Sequence, residues 1–445
     1  MPLQIPFPAA RANAKKPRVL LTVILAALAL LSFALNLWQW IVAARFPLHR
    51  RVPGDGHAPP VTLLKPLKGC DAETAACLRS WFQQNYAGPV QILFGVATAE
   101  DPVCEVVRHI IAENPRRDAQ LVVCSESLGP NAKVSTLAQL ERLARHEVIL
   151  VSDADVWAPP DTIASLVVPL DSTPTGRSSR REEALASNLQ SAICNPQWPE
   201  PPHVGGYDAG GNCGLACCFY KLDQPANLAM RWEALAVNAD FWAQVLQSQS
   251  LQPLDFALGA VMATTRRHLA ALGGFASLAD YLADDYQLGH QIAAQGGRIV
   301  LCPLVVECRA APMTWGAVFA HQLRWARTIR VCRPAPYFFS ILSNATFWPL
   351  LWVACFPSLA SGVAAGVGLA ARLWAARYCE EKLCGADAAR CWPLAPLKDL
   401  LQVVIWALAF AGNQVTWRGQ KFRVTPGGKL VEVPVALAVE KKTGG

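Results

Sequence analysis

Two aspartates follow an apolar run in the first half of the chain, where residues 148–152 read VILVS and Asp153 and Asp155 come next. Carboxylates two positions apart, with a small residue between them, can share one face of a turn. Carboxylate oxygens beside a diphosphate are the hard ligands that Mg²⁺ and Mn²⁺ prefer, and such an ion neutralises a departing nucleotide diphosphate. A helix cap is the alternative, because Pro159 and Pro160 soon start a helical pattern. The preceding strand-like run favours the metal site.

A second pair of acidic residues, Asp284 and Asp285, lies within the sequence YLADDY. Neighbouring like charges raise each other's pKa, which suits a general base that works near neutral pH. Acidic residues also complement the dipole at the start of a helix, and a helical pattern begins at Tyr286. The two interpretations are compatible, so we expect this pair to begin a helix and to supply a base.

Two more charged residues lie close to predicted strands and helices. Asp101, in Glu100-Asp101-Pro102, could accept a hydrogen bond from a nucleotide base or a sugar hydroxyl, although Asp-Pro is also common in solvated turns. Lys133 stands at the predicted start of a helix, where a cation and free backbone N–H groups would bind phosphate. An ordinary solvated lysine fits the local sequence of Lys133 equally well.

A basic segment from His321 to Arg330, HQLRWARTIR, has the spacing of one helical ridge. Arg324 and Arg327 are three residues apart, Arg330 repeats that step, and Trp325 adds an amphipathic anchor. One interpretation is a basic helix at a membrane interface. The other is a lid that pairs with pyrophosphate and places a lipid acceptor, and the spacing alone fits both.

The 15 cysteines are scattered and often lie in apolar runs, which is typical of buried, reduced thiols. Cys213, Cys217 and Cys218, with His203 nearby, invite a zinc interpretation, but they lack the paired C-x-x-C unit of zinc sites. A disulfide could form in a later predicted loop if that loop lay outside the cell. The cysteines of that loop are Cys379, Cys384 and Cys391.

A predicted α/β domain over residues 55–312 positions these groups. Short apolar runs have the composition of buried parallel strands, at residues 61–64, 90–97, 120–124 and 148–153. Helical periodicity lies between them, at residues 74–84, 103–113 and 134–144. This alternation predicts a doubly wound, Rossmann-like mixed sheet with helices on both faces, whose ligands gather at the carboxyl ends of the strands. Polar stretches at 171–187 and 199–214 are predicted loops.

The composition of the chain indicates that membrane segments accompany this domain. Of the 445 residues 53% are apolar and 16% charged, against roughly 25% charged in soluble proteins, and the mean hydropathy is +0.24. These values argue against a disordered chain and a wholly soluble enzyme. The net charge of +7 suits an anionic membrane surface or a phosphate-bearing ligand. Nucleic acid is not an expected partner, because the chain lacks a basic stripe interleaved with aromatic residues.

The first membrane segment is predicted at residues 19–44, which carry no charge and can cross a hydrocarbon core of about 30 Å. Trp38 and Trp40 fit an interfacial belt at its end. Its length favours an uncleaved anchor over a signal peptide. Basic residues flank the segment on both sides, so the distribution of charge leaves its orientation open.

Hydrophobic segments return over residues 337–413. A helical hairpin is predicted at 337–357 and 358–376, followed by a charged loop at 377–392 and a short span at 397–412. Three crossings would place the basic tail opposite the catalytic domain, whereas its charge favours the cytosolic side. A re-entrant segment would remove that conflict.

Six motifs occur along the chain in one order: Lys65-Pro66-Leu67-Lys68-Gly69, Glu100-Asp101-Pro102, Asn131-Ala132-Lys133, Asp153, Asp284-Asp285-Tyr286 and Arg324-Trp325. In this order and spacing the chain resembles the ceramide glucosyltransferases over nearly its whole length. These are membrane-bound GT-A glycosyltransferases with a D, D, D, (Q/R)xxRW signature. The first position of the last motif is His321 here, followed by Gln322. The resulting HQLRW sequence is similar to that of the related hopanoid-associated glycosyltransferases.

The resemblance implies a role for each matched residue. Asp285, with Asp284 beside it, would take the proton of the acceptor hydroxyl. Asp153 and Asp155 would hold Mg²⁺ or Mn²⁺, and His321 with Gln322 would clamp the acceptor. The residues expected to bind the nucleotide sugar are Lys65, Asp101, Lys133, Asp153, Arg324 and Trp325.

We therefore expect an inverting glycosyltransferase that moves a hexose from a UDP-sugar to a hydroxyl of a membrane lipid. Ceramide is the first candidate acceptor, and a hopanoid with a UDP-N-acetylglucosamine donor is the alternative. A processive polysaccharide synthase would need a longer membrane channel and an intact Q-x-x-R-W. A transporter or scaffold is disfavoured because the charged residues of the spans, Arg372, Lys398 and Asp399, lie near predicted span ends.

The expected location is a bacterial inner membrane, with several spans and the catalytic domain in the cytoplasm. The predicted segments are an N-terminal tail (1–18), an anchor (19–44), a GT-A domain (55–312), an interfacial helix (313–336), a membrane region (337–413) and a basic tail (414–445).

Overall fold

A computed structural model describes residues 15–50, 58–170, 212–385, 388–417 and 420–433 of the chain. The predicted loop at 171–187, most of the predicted loop at 199–214, and His203 lie outside these residues.

The larger sheet contains β1 (Val61–Pro66), β2 (Val90–Val96), β3 (Asp118–Val123), β4 (Val148–Ser152), β5 (Val156–Trp157), β6 (Cys213–Leu222), β7 (Val261–Thr265) and β8 (Arg298–Cys308). Their spatial order is β3–β2–β1–β4–β7–β6–β8–β5. The first four strands are parallel, as predicted, and Val61 lies opposite Val90 on one side and Val148 on the other. Strand β7 runs antiparallel to β4 and β6, so the sheet is mixed.

The helices before residue 300 are α1 (Lys15–Arg45), α2 (Thr74–Ser80), α3 (Val103–Glu113), α4 (Ala132–Leu143), α5 (Thr162–Val167), α6 (Leu228–Leu235), α7 (Trp242–Leu251), α8 (Arg266–Leu272) and α9 (Asp284–Ala294). Helix α3 has the predicted bounds. The predicted helix at 74–84 divides into α2 and a 3₁₀ turn, Trp81–Gln83. Helix α4 begins before its predicted start because the Asn131 side chain caps it, accepting a hydrogen bond from the Val134 N–H at 3.1 Å.

Apolar side chains cover both faces of the sheet, because successive residues of a strand point to opposite sides. Leu64 packs in a core that includes residues of α4 and α7. Its neighbour Leu63 packs in a second core with residues of α2, α3 and α5. The predicted arrangement, a mixed sheet with helices on both faces, is therefore confirmed.

The cysteines of β6 lie on both sides of the sheet, because a bulge between Cys213 and Leu215 interrupts the alternation. Cys217 lies in the first core, whereas Cys213 and Cys218 lie in the second. Burial raises the pKa of Cys213 and of Cys217 to about 12, so both thiols stay protonated. The sheet separates these thiols, and among the described residues no group of three His, Cys, Asp or Glu side chains is placed to hold a metal ion. The zinc interpretation has no support in this geometry.

The C-terminal helices are α10 (Trp315–Cys332), α11 (Pro334–Phe339), α12 (Phe347–Cys355), α13 (Leu359–Cys384) and α14 (Ala395–Phe410). Helix α13 continues to Cys384, so the predicted loop at 377–392 is wrong over its first eight residues. Buried Glu380 accepts hydrogen bonds from the backbone N–H groups of Cys391 (2.8 Å) and Trp392 (2.9 Å). These tertiary contacts satisfy the carboxylate of Glu380, which the sequence pattern placed in a loop. Cys379, Cys384 and Cys391 are free thiols.

Three helices of the described residues are long and apolar enough to cross a membrane: Arg18–Arg45, Leu359–Cys384 and Trp392–Phe410. A fourth candidate is the bent pair of Pro334–Ser343 and Phe347–Cys355, whose axes differ by 59°. The chain thus has the helices of a membrane protein, as predicted.

Helices α1 and α13 pack side by side and point in the same direction. Near the catalytic domain, the ring of Trp40 lies 4.5 Å from that of Trp374. Further along both helices, the Lys382 ammonium donates to the backbone carbonyl of Ala44 (2.7 Å). The start of α13 therefore lies far from the catalytic domain and its end lies against that domain.

A buried charge network joins α13 and α14 to the catalytic domain. Arg372 of α13 pairs with Asp240 at 2.9 Å and with Asp399 of α14 at 2.8 Å. Lys398 pairs with the same two carboxylates. Asp240 belongs to a π-helical turn, Ala236–Phe241, that connects α6 to α7. The prediction that these charges lie near span ends is wrong for Arg372, because α13 extends well beyond it.

Helix α14 packs against the rest of the protein along most of its length. Asp399, Ile405 and Ala409 are buried on one face, whereas Leu397 and Val404 are about half-exposed on the other. Ile405 and Ala409 share an apolar cluster with residues of α6 and α10. Helix α14 therefore has one exposed apolar face and one face that packs against the rest of the protein.

The basic tail forms a second, antiparallel sheet of β9 (Gln414–Trp417), β10 (Gln420–Val424) and β11 (Leu430–Glu432). This sheet contacts the loop before α9. The Leu282 N–H donates to the carbonyl of Gly428 (3.1 Å), and the Leu430 N–H donates to that of Asp280 (2.7 Å). The tail sheet therefore packs against the catalytic domain.

Candidate functional site

Lys133 brings together two of the acidic sites that the sequence places 131 positions apart. Its ammonium lies 2.7 Å from Asp153 Oδ1 and 3.0 Å from Asp284 Oδ2. Burial alone would lower the pKa of Lys133, but the charges of Asp153 and Asp284 outweigh burial and raise it well above its usual value. Lys133 stands at the start of α4, Asp153 at the end of β4 and Asp284 at the start of α9. Three elements thus converge at the carboxyl edge of the sheet, where ligands of such folds bind.

Asp285 lies next to this ion cluster and has the properties of a base. Burial and the neighbouring charge of Asp284 raise the pKa of Asp285 to about 6. Its Oδ1 accepts a hydrogen bond from the N–H of Tyr286 at 2.7 Å. The backbone of Gly259, just before β7, packs against the carboxylate so closely that an added Cβ would lie 2.5 Å from Asp285 Oδ2. Asp285 is therefore held in one position by its own helix and by a glycine from another element.

Asp153 and Asp155 have the chemistry of a divalent-cation site. One oxygen of Asp153 is bound by Lys133, and the Asp153 side chain is still 38% exposed. Residue Asp155 is solvent-exposed, but desolvation by the surrounding protein and the charge of Asp153 raise the pKa of its carboxyl to about 6. Two carboxylates with accessible oxygens, two positions apart, offer the hard ligands that Mg²⁺ and Mn²⁺ prefer, so the residues present fit such an ion when a diphosphate completes its ligands.

Lys65 lies below this pair rather than on the exposed surface of the site. It is fully buried on β1, and its ammonium donates to the Ser152 hydroxyl (3.1 Å) and to the backbone carbonyl of Asp153 (2.7 Å). The same ammonium lies 5.2 Å from the centre of the Trp81 ring. Burial lowers the pKa of Lys65 to about 8. Lys65 therefore supports the Asp153 backbone, and its expected contact with nucleotide stays a prediction.

Asp101 occupies the turn after β2, where its carboxylate bonds to backbone groups. Both of its oxygens accept from the Gly69 N–H at 3.0 Å, and Oδ1 also accepts from the Val103 N–H at 3.0 Å. These bonds tie the loop after β1 to the start of α3. Asp101 is not part of the Lys133 cluster.

The basic helix α10 is bound to α6 through a buried carboxylate that the sequence pattern did not reveal. Glu233 of α6 is buried, and its Oε1 lies 2.6 Å from His321 Nδ1 and accepts from Gln322 Nε2 at 3.0 Å. The two residues expected to clamp the acceptor are therefore held by one carboxylate. The signal was an acidic residue within the mostly apolar helix LAMRWEAL, because a buried acid almost always has a partner.

An aromatic row connects α10 to the sheet. The His321 ring lies 4.9 Å from that of Trp325, the Trp325 ring 6.3 Å from Phe241, and the Phe241 ring 5.8 Å from Tyr220. Burial and nearby ionisable groups, Asp285 among them, raise the pKa of Tyr220. Arg324 is half-buried on the same helix. His321 thus stands at one end of the row, and Tyr220, at the other end, lies close enough to Asp285 to be affected by its charge.

Comparisons with known proteins identify the family to which this site belongs. The sequence profile described as glycosyl transferase family 21 matches residues 21–181 and 209–430. A ceramide glucosyltransferase of Pyricularia oryzae is 23% identical over 452 residues, covering 87% of this chain and 88% of that protein. Ceramide glucosyltransferase 1 of Caenorhabditis elegans is 24% identical, covering 63% and 52%. A ceramide glucosyltransferase of Candida albicans is 37% identical over 123 residues, covering 25% and 22%.

The chain therefore spans about a fifth of the Candida protein, half of the nematode protein and most of the Pyricularia protein. Among solved structures, a mannosyltransferase from Pyrobaculum calidifontis, in complex with GDP-mannose and Mn²⁺, aligns with a TM-score of 0.46 and 20% identity. That alignment covers 88% of this chain and 97% of the other. The family profile matches well over half of the sequence, so the chain belongs to glycosyl transferase family 21.

Proposed function

We propose that this enzyme transfers a hexose from a UDP-sugar to a hydroxyl of a membrane lipid, with inversion at the anomeric carbon. One observation carries the proposal: Lys133 gathers Asp153 and Asp284 beside Asp285 at the carboxyl edge of the sheet. The chain therefore combines a candidate base, carboxylates that can bind a cation, and helices that can cross a membrane. Ceramide is the first candidate acceptor, since the curated relatives are ceramide glucosyltransferases.

In the proposed reaction, the acceptor hydroxyl attacks the anomeric carbon in line with the departing diphosphate. A C–O bond to the acceptor forms as the bond to the diphosphate oxygen breaks, and the hydroxyl proton passes to the Asp285 carboxylate. A pKa of about 6 keeps Asp285 ionised at neutral pH yet makes it more basic than an ordinary aspartate. A single displacement of this kind inverts the configuration of the sugar.

Asp153 and Asp155 would hold Mg²⁺ or Mn²⁺, which would supply positive charge to the departing diphosphate. Lys133 keeps Asp153 in place through its 2.7 Å contact. Lys65 holds the Asp153 backbone from below, and Asp101 orders the loop that starts at Gly69. We therefore assign Lys65 and Asp101 to the support of the donor site.

The acceptor side is proposed to lie along α10. Glu233 orients His321 and Gln322, and the aromatic row places Trp325 between those residues and the sheet. Arg324 would pair with the diphosphate. Because α10 leads directly into the bent helix pair, which begins with α11, a lipid hydroxyl can reach this region from the membrane.

A hopanoid acceptor, with UDP-N-acetylglucosamine as donor, is the second candidate. The observation in its favour is the HQLRW sequence of residues 321–325, which resembles that of the hopanoid-associated relatives. We further propose several spans in a bacterial inner membrane, with the catalytic domain and the tail both in the cytoplasm.

The experiment offers full-length, detergent-solubilised protein radiolabelled UDP-glucose or UDP-N-acetylglucosamine, each with ceramide or a hopanoid polyol. Products are identified by mass, and Asp285→Asn serves as the inactive control. Transfer of glucose to ceramide is the expected result. Transfer of N-acetylglucosamine to the hopanoid supports the second candidate, and no labelled lipid in any combination with Mn²⁺ or Mg²⁺ present contradicts both.

A further inference from the structure

A basic cavity lies where α14 ends and the tail begins. It has a volume of about 350 Å³. Its lining residues come from α10, from the turn after α14 and from the tail sheet: Arg327, Ala411, Gly412, Asn413, Gln414 and Arg423. This volume accommodates a phosphate group together with part of a larger head group. The cavity is separate from the acidic cluster described above, with which it shares no residue.

Two arginines of α10 hold the wall of this cavity. Arg327 Nη1 donates to the backbone carbonyl of Gln414, and Arg330 Nη2 donates to the Asn413 side-chain oxygen. The Nε atoms of Arg327 and Arg330 are buried without a hydrogen-bond partner. Because the Asn413 oxygen accepts from Arg330, the amide nitrogen of Asn413 remains a donor. The wall thus presents the Asn413 amide and the guanidinium groups of Arg327 and Arg423 to an anion.

The positive charge at this cavity has no counter-charge among the described residues. Arg327, Arg330 and Arg423 form no ion pair with any carboxylate in the part of the chain that the structure describes. By contrast, Arg333 at the end of the same helix pairs with Asp255. Arginines gathered without carboxylates are typical of phosphate sites, because the planar guanidinium binds phosphate oxygens in pairs.

Aromatic residues place the cavity at the level of lipid head groups. The Arg330 guanidinium lies 5.6 Å from the centre of the Phe410 ring, the last residue of α14. Phe338 contacts the rings of Phe410 and Trp406 and is 52% exposed, and Trp406 Nε1 donates to the Tyr337 carbonyl at 3.0 Å. Tryptophan and tyrosine concentrate where hydrocarbon meets head groups. An exposed aromatic surface thus lies beside a cationic cavity, so that one can contact an acyl chain while the other binds the phosphate of the same lipid.

We propose that this cavity binds the phosphate of an anionic glycerophospholipid. Arg327 and Arg423 contact the phosphate oxygens, the Asn413 amide donates to them, and the aromatic wall of Phe338 and Phe410 carries the first part of an acyl chain. Bound lipid would tie α10, α14 and the tail sheet together at the membrane surface. This inference does not depend on which sugar or acceptor the enzyme uses.

The test measures binding of dioctanoyl phosphatidylglycerol to the full-length protein in a neutral detergent, by native mass spectrometry and by titration calorimetry. The expected result is one saturable site whose affinity falls about fivefold in Arg423→Gln and further in Arg327→Gln/Arg423→Gln. Arg423 is exposed, so the single variant tests the site even if the double variant fails to fold. Arg108→Gln, at an exposed arginine of α3, is the charge-matched control and should bind as the wild type does.

Two competitors identify the source of the phosphate. Inorganic phosphate at millimolar concentration should compete only weakly, because it lacks the acyl chain. Unchanged lipid affinity in Arg423→Gln and in the double variant overturns the proposal. So does inorganic phosphate that binds as tightly as the lipid, since the site would then recognise a free anion. Displacement of the lipid one-for-one by UDP also overturns it, because the cavity would then be part of the donor site.

Discussion

At the scale of single residues, the proposed role of Asp285 as the base predicts how activity depends on pH. The pKa of Asp285 is raised to about 6, so the carboxylate is ionised above that pH and protonated below it. A protonated base cannot accept the acceptor's proton. We expect kcat/KM to fall tenfold per pH unit below about pH 6 in the wild-type enzyme.

The carboxylate of Asp284 contributes to the raised pKa of Asp285, so its removal should shift that pKa in a known direction. The charge of Asp284 raises the pKa of Asp285, whereas that of Lys133 lowers it. In Asp284→Asn the repulsion is gone, so the acid limb of the pH profile should move below pH 6 while activity at neutral pH also decreases. Initial rates between pH 4.5 and 8 test this. An acid limb that stays in place would show that another group titrates.

Gly259 provides a second test of the position of Asp285. A methyl group at Gly259 would lie 2.5 Å from Asp285 Oδ2, so the carboxylate must move. Because a displacement of about 1 Å can cost on the order of 100-fold in rate, we expect Gly259→Ala to lower kcat about 10- to 100-fold. Gly316→Ala, on α10, is the matched control, since nothing lies within 4 Å of its added Cβ. Equal kcat in both variants would contradict the constraint.

At the scale of elements, a buried charge network holds the membrane helices to the catalytic domain. Removal of Arg372 leaves two buried carboxylates, Asp240 and Asp399, with only Lys398 between them. A buried pair broken in this way costs about 3–5 kcal/mol. We expect Arg372→Met to unfold at a clearly lower temperature in detergent.

Another arginine of the same helix supplies the control for that measurement. Arg377 forms an exposed pair with Glu381 four residues later, and such pairs contribute less than about 1 kcal/mol. Thermal unfolding of Arg377→Met should therefore match the wild type closely. Similar losses in both variants would mean that the network contributes no more than a surface ion pair.

The elements differ in how far the sequence predicts them. The four parallel strands were predictable because each is an apolar run with helical periodicity on either side. The end of α13 was not, because buried Glu380 bonds to the backbone of Cys391 and Trp392, which are distant in the pattern. The role of Glu233 was not predicted for the same reason, because its partners His321 and Gln322 are distant in sequence. In the site, Asp101, Asp153 and Asp285 were expected to converge, and the structure brings Asp153 close to Asp285 through Lys133 but leaves Asp101 outside that cluster. The burial of Lys65 and the bond from the Gly69 N–H to Asp101 depend on tertiary contacts, which the local sequence does not indicate.

At the scale of the whole molecule, the position of the tail limits how many membrane crossings can follow the catalytic domain. The tail sheet bonds to Leu282 and Asp280 of the catalytic domain, so we propose that an even number of membrane crossings separates the tail from that domain. Three candidate spans follow the catalytic domain, so one of them would not cross, and we propose that this one is the shortest, Trp392–Phe410, which contains α14. The bent helix pair and α13 would then supply the two crossings.

Labelling of single cysteines tests this topology. Cys70 is an exposed marker in the catalytic domain, and Cys355 is exposed at the end of α12. In a Cys355→Ser background, a membrane-impermeant maleimide should label native Cys70 and an introduced Lys421→Cys from the same side of sealed vesicles. Reaction of the two positions from opposite sides would contradict an even number of crossings.

The central claim is that Asp285 takes the acceptor proton within a cluster of carboxylates gathered by Lys133. The most direct measurement compares turnover and UDP-sugar binding in Asp285→Asn, with Asp118→Asn as a control at an exposed aspartate of β3. The account predicts a loss of kcat of at least about 100-fold, with a Kd for the donor within about twofold of the wild type and a fully active control. Unchanged turnover in Asp285→Asn would contradict it.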